Sequence, residues 1–358
     1  MKFTIETRKL NNILAVVKNG VGDSRILPIT EYIELYLSEG DLIVTATDMN
    51  NFITYVQTDV KGTDGIIVVK AADLIKLVGK TTKAEMSFEL KDSYVQVKGN
   101  GVYKLQISDE NFPDYEFSSS EGGESVVIDV NTLKKAFQIN ESAVAKELLM
   151  PCLTGYNVGS KCITTDGIKM CINNTSVIEE PVLLPQKLVD LIQLLHTPEV
   201  NVQRDDNKIL FTTNNIRIFG TELDGLSTYP DITSLLDLEY ESTVTVNKTE
   251  FTEALDRLAI FVDAFENYGV NIFLDKTSVT LQDLKDNSKE VLGYESCAVA
   301  EPLHVIVNLV FLQDLIKPLK NDVVTLQFQE GHPLCLIEGD TTFILSLLED
   351  EEIEEVKE

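Results

Sequence analysis

Apolar and polar residues alternate along this chain with two distinct periods. Short runs with period two, the signature of a half-buried strand, include LIVTATD ending at Asp48, KCITTD ending at Asp166 and SVTLQD ending at Asp283. Between such runs lie segments of period 3.6, in which one helix face is apolar. Leu10, Ile13, Leu14 and Val17 share a face while Arg8 and Asn12 point away, and Leu74, Leu77 and Val78 lie opposite Lys76. Leu133, Ala136 and Phe137 oppose Lys135, and Leu188, Leu191, Ile192 and Leu195 follow the same rule. Phe251, Ala254, Leu255 and Leu258 make a fifth stripe and Leu312, Leu315 and Ile316 a sixth, where Pro318 ends or kinks the helix. Helices are therefore predicted within 7–20, 70–83, 131–146, 185–196, 248–265 and 308–320.

These elements recur at long period, the mark of a repeat architecture. The strand-end aspartates stand 118 and 117 residues apart. Asp73-Leu-Ile, Asp190-Leu-Ile and Asp314-Leu-Ile are spaced by 117 and 124, and Phe112-Pro113-Asp114-Tyr115 returns 117 residues later as Tyr229-Pro230-Asp231-Ile232. Three periods fill the chain. The expected fold is α+β, with two helices packed on one side of antiparallel sheet in each repeat. The expected division is 1–122, 123–242 and 243–348, followed by an acidic tail at 349–358. Ser118–Ser125 reads as a flexible joint, with a less obvious one near Asp237–Ser242.

Composition narrows the class. At 358 residues the chain exceeds the roughly 250–300 that one core supports, with ordinary apolar (44%) and charged (25%) fractions. No apolar run approaches the roughly 18 residues of a membrane span, and the N-terminus lacks a signal-peptide core. Five cysteines with no CxxC pair argue against a disulfide framework or a zinc site. The expectation is a soluble, cytoplasmic protein. Charge is lopsided: 30 Lys and Arg against 58 Asp and Glu, net −28, with seven acids in the tail. Yet the six helix segments hold 15 basic and 8 acidic residues, leaving 15 and 50 elsewhere. An acidic protein with basic helices segregates charge by surface, as one presenting positive potential to a polyanion would. The segment 248–265, with Glu250, Glu253, Asp256 and Asp263, departs from that trend.

At this level the chain resembles the bacterial DNA polymerase III beta subunit, or sliding clamp, family over its whole length. The resemblance is carried by Leu27-Pro28-Ile29, Ala46-Thr47-Asp48, Asn111-Phe112-Pro113-Asp114-Tyr115, Leu153-Thr154-Gly155, Thr165-Asp166-Gly167-Ile168-Lys169-Met170 and Tyr229-Pro230-Asp231. It implies three clamp domains and a head-to-tail homodimer closing a six-domain ring around duplex DNA, bound without sequence specificity. DNA-facing candidates are Arg8, Lys9, Lys18, Arg25, Lys76, Lys80, Lys134, Lys135, Lys187, Lys317 and Lys320. It further implies an apolar pocket for short hydrophobic peptides of the replicative polymerase and the clamp loader. That pocket would be lined by Leu153, Thr165, Gly167, Ile168, Lys169, Met170, Pro230 and Leu235, with Ile344, Ser346, Leu347 and Leu348 as its far wall. Gly167 is expected to permit close backbone approach. Where the family often has His-Arg after the glycine, this chain has Ile168-Lys169, and Ser234 replaces a longer basic side chain.

Nothing in the motifs points to catalysis. Thr165-Asp166-Gly167 reads as a strand-end turn. His196, His304 and His332 are dispersed, and no GxGxxG, P-loop or metal-ligand cluster occurs. No cofactor or metal is expected. The competing reading is a divergent, clamp-like accessory protein with altered partners, suggested by the acidic helix and tail.

Overall fold

The computed structural model describes residues 1–118, 125–147, 149–174 and 178–348, apart from the side chain of Thr233. The acidic tail and most of the Ser118–Ser125 joint lie outside these residues. Seven α-helices are described: α1 Thr7–Val17, α2 Ala71–Lys80, α3 Val130–Asn140, α4 Gln186–Ile192, α5 Thr233–Leu236, α6 Lys248–Leu258 and α7 Leu309–Ile316. Six sit in the predicted segments but stop earlier than the pattern suggested. The reason is local. α1 and α3 end in 3-10 turns, Lys18–Gly20 and Glu141–Ala143, and α7 stops two residues before Pro318. The predicted apolar stripes are inside: Leu10, Leu14, Leu74, Phe137, Leu188, Leu255 and Leu312 are each no more than 2% exposed.

The described chain divides into two compact units, Met1–Asn131 with Leu184–Glu222, and Thr132–Leu183 with the residues from Leu223 onward. The first contains a five-stranded sheet and an eight-stranded sheet. Its five-stranded sheet brackets Lys2–Glu6 between Gly62–Thr63 and Glu85–Leu90, with Phe3 stacked on Phe88 at 4.8 Å. Its eight-stranded sheet joins Asn51–Gln57 to Ile216–Thr221, so strands of the first and second repeats pair directly. The second unit repeats the plan with nine-stranded and four-stranded sheets. Here Lys169–Asn174 pairs with Thr341–Leu345, joining the second and third repeats. Sheet continuity explains why compactness parts the middle repeat between two units. The pairings named here are antiparallel, with burial alternating along Tyr32–Ser38, Ser242–Asn247 and Ser278–Asp283 as the sequence pattern demands. The core of the second unit gathers Phe251, Leu255 and Leu258 of α6, Leu312 and Leu315 of α7, and sheet residues such as Ile272, Leu326 and Phe343.

Candidate functional site

In the second unit a hairpin sets the site. The strands Lys161–Thr165 and Lys169–Asn174 are joined by a turn that Asp166 organises, its Oδ1 accepting from the backbone N–H of Ile168 (3.0 Å) and Lys169 (2.8 Å). Thr165 Oγ1 donates to the Lys169 carbonyl (2.9 Å) and accepts from the Gly167 N–H (3.0 Å). Gly167 has φ +92°, and no atom lies within 4 Å of where a Cβ would stand. Its left-handed backbone calls for glycine, and the space beside it is open. Beyond the turn, Met170 lies opposite Ile344 and Lys169 opposite Leu345, while the Ser346 N–H donates to the Ile168 carbonyl at 2.9 Å.

This register assembles an apolar patch. Met170, Ile172, Ile232 and Ile344 are buried together, with Ile163 and Leu235 half-buried at the margin. Leu153 belongs to a neighbouring cluster with Cys152 and Leu183, against which Tyr229, Leu223 and Leu226 pack. Tyr229 ties the two together, its hydroxyl donating to the Ile163 carbonyl at 3.2 Å, and burial pushes that phenol's pKa well up. Pro230, Gly167, Ile168 and Ser346 are exposed around these clusters. Leu348 is half-buried, its N–H bonded to the Ile306 carbonyl at 2.8 Å, and Leu347 packs against the main core of the unit instead.

Lys169 also turns away from the patch. Strand alternation puts it on the face opposite Met170, where its side chain is 7% exposed and its Nζ lies 3.2 Å from Asp314, 3.9 Å from Asp166 and 5.1 Å from the Phe311 ring centre. Sequence reasoning missed Ile163, Ile172, Ile232 and Tyr229. Counting by two from Thr165 and Met170 finds the first two. The others flank Pro230, which was named, but neither lies in a periodic element that would point it at the patch.

The candidate cations distribute as follows. In the first unit Arg8 and Lys9 are exposed on α1, Lys76 and Lys80 on α2, and Lys187 is half-buried on α4. Lys18 caps the C-terminus of α1, and Arg25 is exposed in the following loop. Lys9 is engaged by Glu6 at 2.8 Å. A groove of about 870 Å³ between α1 and the end of α2 brings Arg8 together with Lys83, Asn11 and Thr82, although Glu6 and Glu85 line it too. Lys83 had not been singled out, though it lies in a tallied segment. In the second unit Lys135 is exposed and Lys134 half-buried on α3, Lys317 caps α7, and Lys320 is exposed with its backbone N–H on Glu338 at 2.9 Å. On acidic α6, Arg257 is held by Glu290 at 2.7 Å and Asp256 accepts from Gln313 at 2.8 Å.

The strand-end aspartates share one structural task. Asp48 Oδ1 accepts from the N–H of Asn50 and Asn51, as Asp166 does from Ile168 and Lys169, and Asp283 accepts from Lys285 and Ser288. Among the described residues no three His, Cys, Asp or Glu side chains gather in a way that could hold a metal ion. No helix of the described chain is long and apolar enough to cross a membrane.

Two further surfaces are apolar and open. The strand Val102–Gln106 ends the five-stranded sheet with Val102 63% and Tyr103 37% exposed. The turn after α6 exposes Ile260 (77%), Phe261 (45%) and Phe265 (75%). That turn is rigidly built: Asp263 accepts from the Phe265 N–H at 3.0 Å, and Lys285 reaches Asp263 at 3.1 Å and Glu266 at 3.3 Å.

Comparison with known proteins places this geometry. Residues 1–118 match the family model of the DNA polymerase III beta subunit N-terminal domain, and residues 233–348 match that of its C-terminal domain. The beta sliding clamp of Bacillus subtilis is 24% identical over 355 residues, covering 92% of this chain and 93% of the relative. That of Chlamydia muridarum is 22% identical, covering 97% and 98%. The crystal structure of the Bacillus subtilis DNA polymerase sliding clamp superposes with a TM-score of 0.87 at 21% identity, covering 98% of this chain and 99% of that one. The DNA polymerase III beta subunit of Pseudomonas aeruginosa gives 0.88 at 19% identity, covering 97% and 100%.

Proposed function

Since the chain belongs to the bacterial DNA polymerase III beta subunit family, we propose that it is a sliding clamp whose two copies close head to tail into a ring around duplex DNA. The ring comprises three domains per copy, 1–122, 123–242 and 243–348. It acts in the cytoplasm as a non-catalytic processivity factor, holding the replicative polymerase and the clamp loader through short hydrophobic peptides.

The observation that carries the reading is the charge segregation: in a chain of net −28, the helix segments hold 15 of the 30 cations and only 8 of the 58 acids. A ring needs no tight grip, because topology retains the DNA. Weak, exchangeable phosphate contacts from exposed Arg8, Lys76, Lys80, Lys135, Lys317 and Lys320 then allow sliding without sequence readout. The positions of Lys18 and Lys317 beside helix C-termini favour positive charge there in any case, by about 0.3–1 kcal/mol each. Closure is assigned to the exposed edge at Val102 and Tyr103 of one copy and the apolar turn at Ile260, Phe261 and Phe265 of the other. Burying such edges removes a liability to uncontrolled pairing.

Partner peptides are assigned to the patch of Met170, Leu235 and Ile344, with Leu153 and Pro230 beside it. Anchors of this kind dock in concave apolar sites, where a few side chains dominate affinity. The test is fluorescence polarisation with a labelled hexapeptide carrying Leu and Phe anchors. Leu235→Lys and Leu348→Lys, both at half-buried positions, are expected to weaken binding at least tenfold while circular dichroism stays unchanged. Affinity equal to that of the unmodified protein in both variants would overturn the assignment.

A further inference from the structure

The seam between the first two repeats is built like the seam described above, but with different side chains. Phe52 follows Asp48 as Met170 follows Asp166, and Phe52 lies opposite Phe219 as Met170 lies opposite Ile344. Tyr115 closes Phe112-Pro113-Asp114-Tyr115 as Ile232 closes the later copy. In the second unit these three positions form an aliphatic patch. In the first they form an aromatic trio. Tyr115 stacks on Phe219 at 4.2 Å, and Phe52 lies 5.1 Å from Tyr115 and 5.8 Å from Phe219. The protein's own rings thus occupy the space that aliphatic anchors would need.

One register row away the contrast is larger. The second unit has Ile163 opposite Ile172 opposite Thr342. The first has Glu34 opposite Thr45, Thr45 opposite Thr54 and Thr54 opposite Arg217. This polar row opens into a groove of about 380 Å³ walled by Tyr36, Ile43, Ile66, Phe112 and Asp114. An adjoining groove of about 470 Å³ shares Glu34, Ile66 and Phe112 with it. The half-buried Glu34 carboxylate has no hydrogen bond or ion pair among the described residues. Arg217 lines the far end of the same groove, three strands from Glu34 and about 14 Å across the sheet, and makes no ion pair with it among the described residues. Burial, and then the charge of Asp114, push the Glu34 carboxyl above its ordinary value. Perturbed ionisable groups in clefts are candidates for functional sites, and here the groove and its aromatic walls accompany one.

We propose that this groove is a second docking site, taking an extended partner segment that sets a lysine or arginine side chain against Glu34 and Asp114, beside the rings of Tyr36 and Phe112. Charge complementarity selects the cation, aromatic walls favour it further, and the trio of Phe52, Tyr115 and Phe219 excludes the aliphatic anchors that suit the other seam. The inference deepens the peptide-docking reading, because the shared plan of the two seams is what marks the groove as a docking surface.

The test is methyl NMR on the full-length protein labelled at isoleucine. Acetyl-Gly-Arg-Gly-amide is titrated, with its neutral citrulline isostere as control. Saturable shifts are expected at Ile43 and Ile66 and none at Ile163, Ile172 or Ile344. Apparent affinity should fall at least tenfold with citrulline and in the isosteric variant Glu34→Gln. Shifts that do not saturate, that are equal for citrulline, or that persist in Glu34→Gln overturn the proposal. The Leu/Phe hexapeptide, titrated separately, reports on Ile163, Ile172 and Ile344. Its failure would count against the other seam while the arginine titration still decides this one.

Discussion

At Asp283 a buried carboxylate receives four hydrogen bonds, from the Ser288 N–H (2.5 Å) and hydroxyl (2.9 Å), the Lys285 N–H (3.1 Å) and the Asn287 amide (3.3 Å). Burial opposes the charge, but these donors outweigh it and hold the carboxyl below its ordinary value. A depressed folded-state pKa contributes stability above the unfolded-state value, about 4, and that contribution disappears as pH falls through the folded value. Asp283→Asn should therefore cost roughly 1–2 kcal/mol near neutral pH, with the penalty shrinking below about pH 4. Urea denaturation across that range checks it, and a penalty independent of pH would contradict the assignment. The sequence marked Asp283 only as the end of an alternating strand and read a turn only at Thr165-Asp166-Gly167, although strand-end Asp suits local backbone bonding at both. Lys169, named for the pocket by a family motif, is turned by simple strand alternation toward Asp314 and away from the Met170 patch.

Elements were readable where they were long and periodic. The stripes Leu10/Ile13/Leu14/Val17 and Phe251/Ala254/Leu255/Leu258 gave α1 and α6 directly. α5 spans only four residues, Thr233–Leu236, too few to establish a period, and it escaped. Pairing of Phe52 with Phe219, or Met170 with Ile344, was equally beyond reach. Both strands of each pair alternate correctly, but alternation does not name a partner more than 160 residues away. Met170, Leu235 and Ile344 were therefore grouped only by likeness to a family, while Ile172 joins them through the register and Ile232 through packing from a loop. The edge strand Val102–Gln106 carries a prediction of its own. Val102→Glu places a charge on an exposed position of an unpaired edge and should weaken self-association at least tenfold, read by sedimentation equilibrium, with little change in thermal stability. An unaltered dimer constant would remove this edge from the interface.

For the whole molecule, the acidic excess and the basic helices make sense together. On the proposed reading, diffuse negative charge elsewhere would discourage unproductive contact with nucleic acid, and sparse cations on the helices would suffice once closure did the holding. The claim that the chain closes on itself in pairs is central, and small-angle X-ray scattering behind a size-exclusion column, at two protein concentrations, tests it most directly. The account predicts twice the 39.9 kDa chain mass, at both concentrations, with the distance distribution of a flat, hollow ring. A compact or rod-shaped monomer at both concentrations would contradict it.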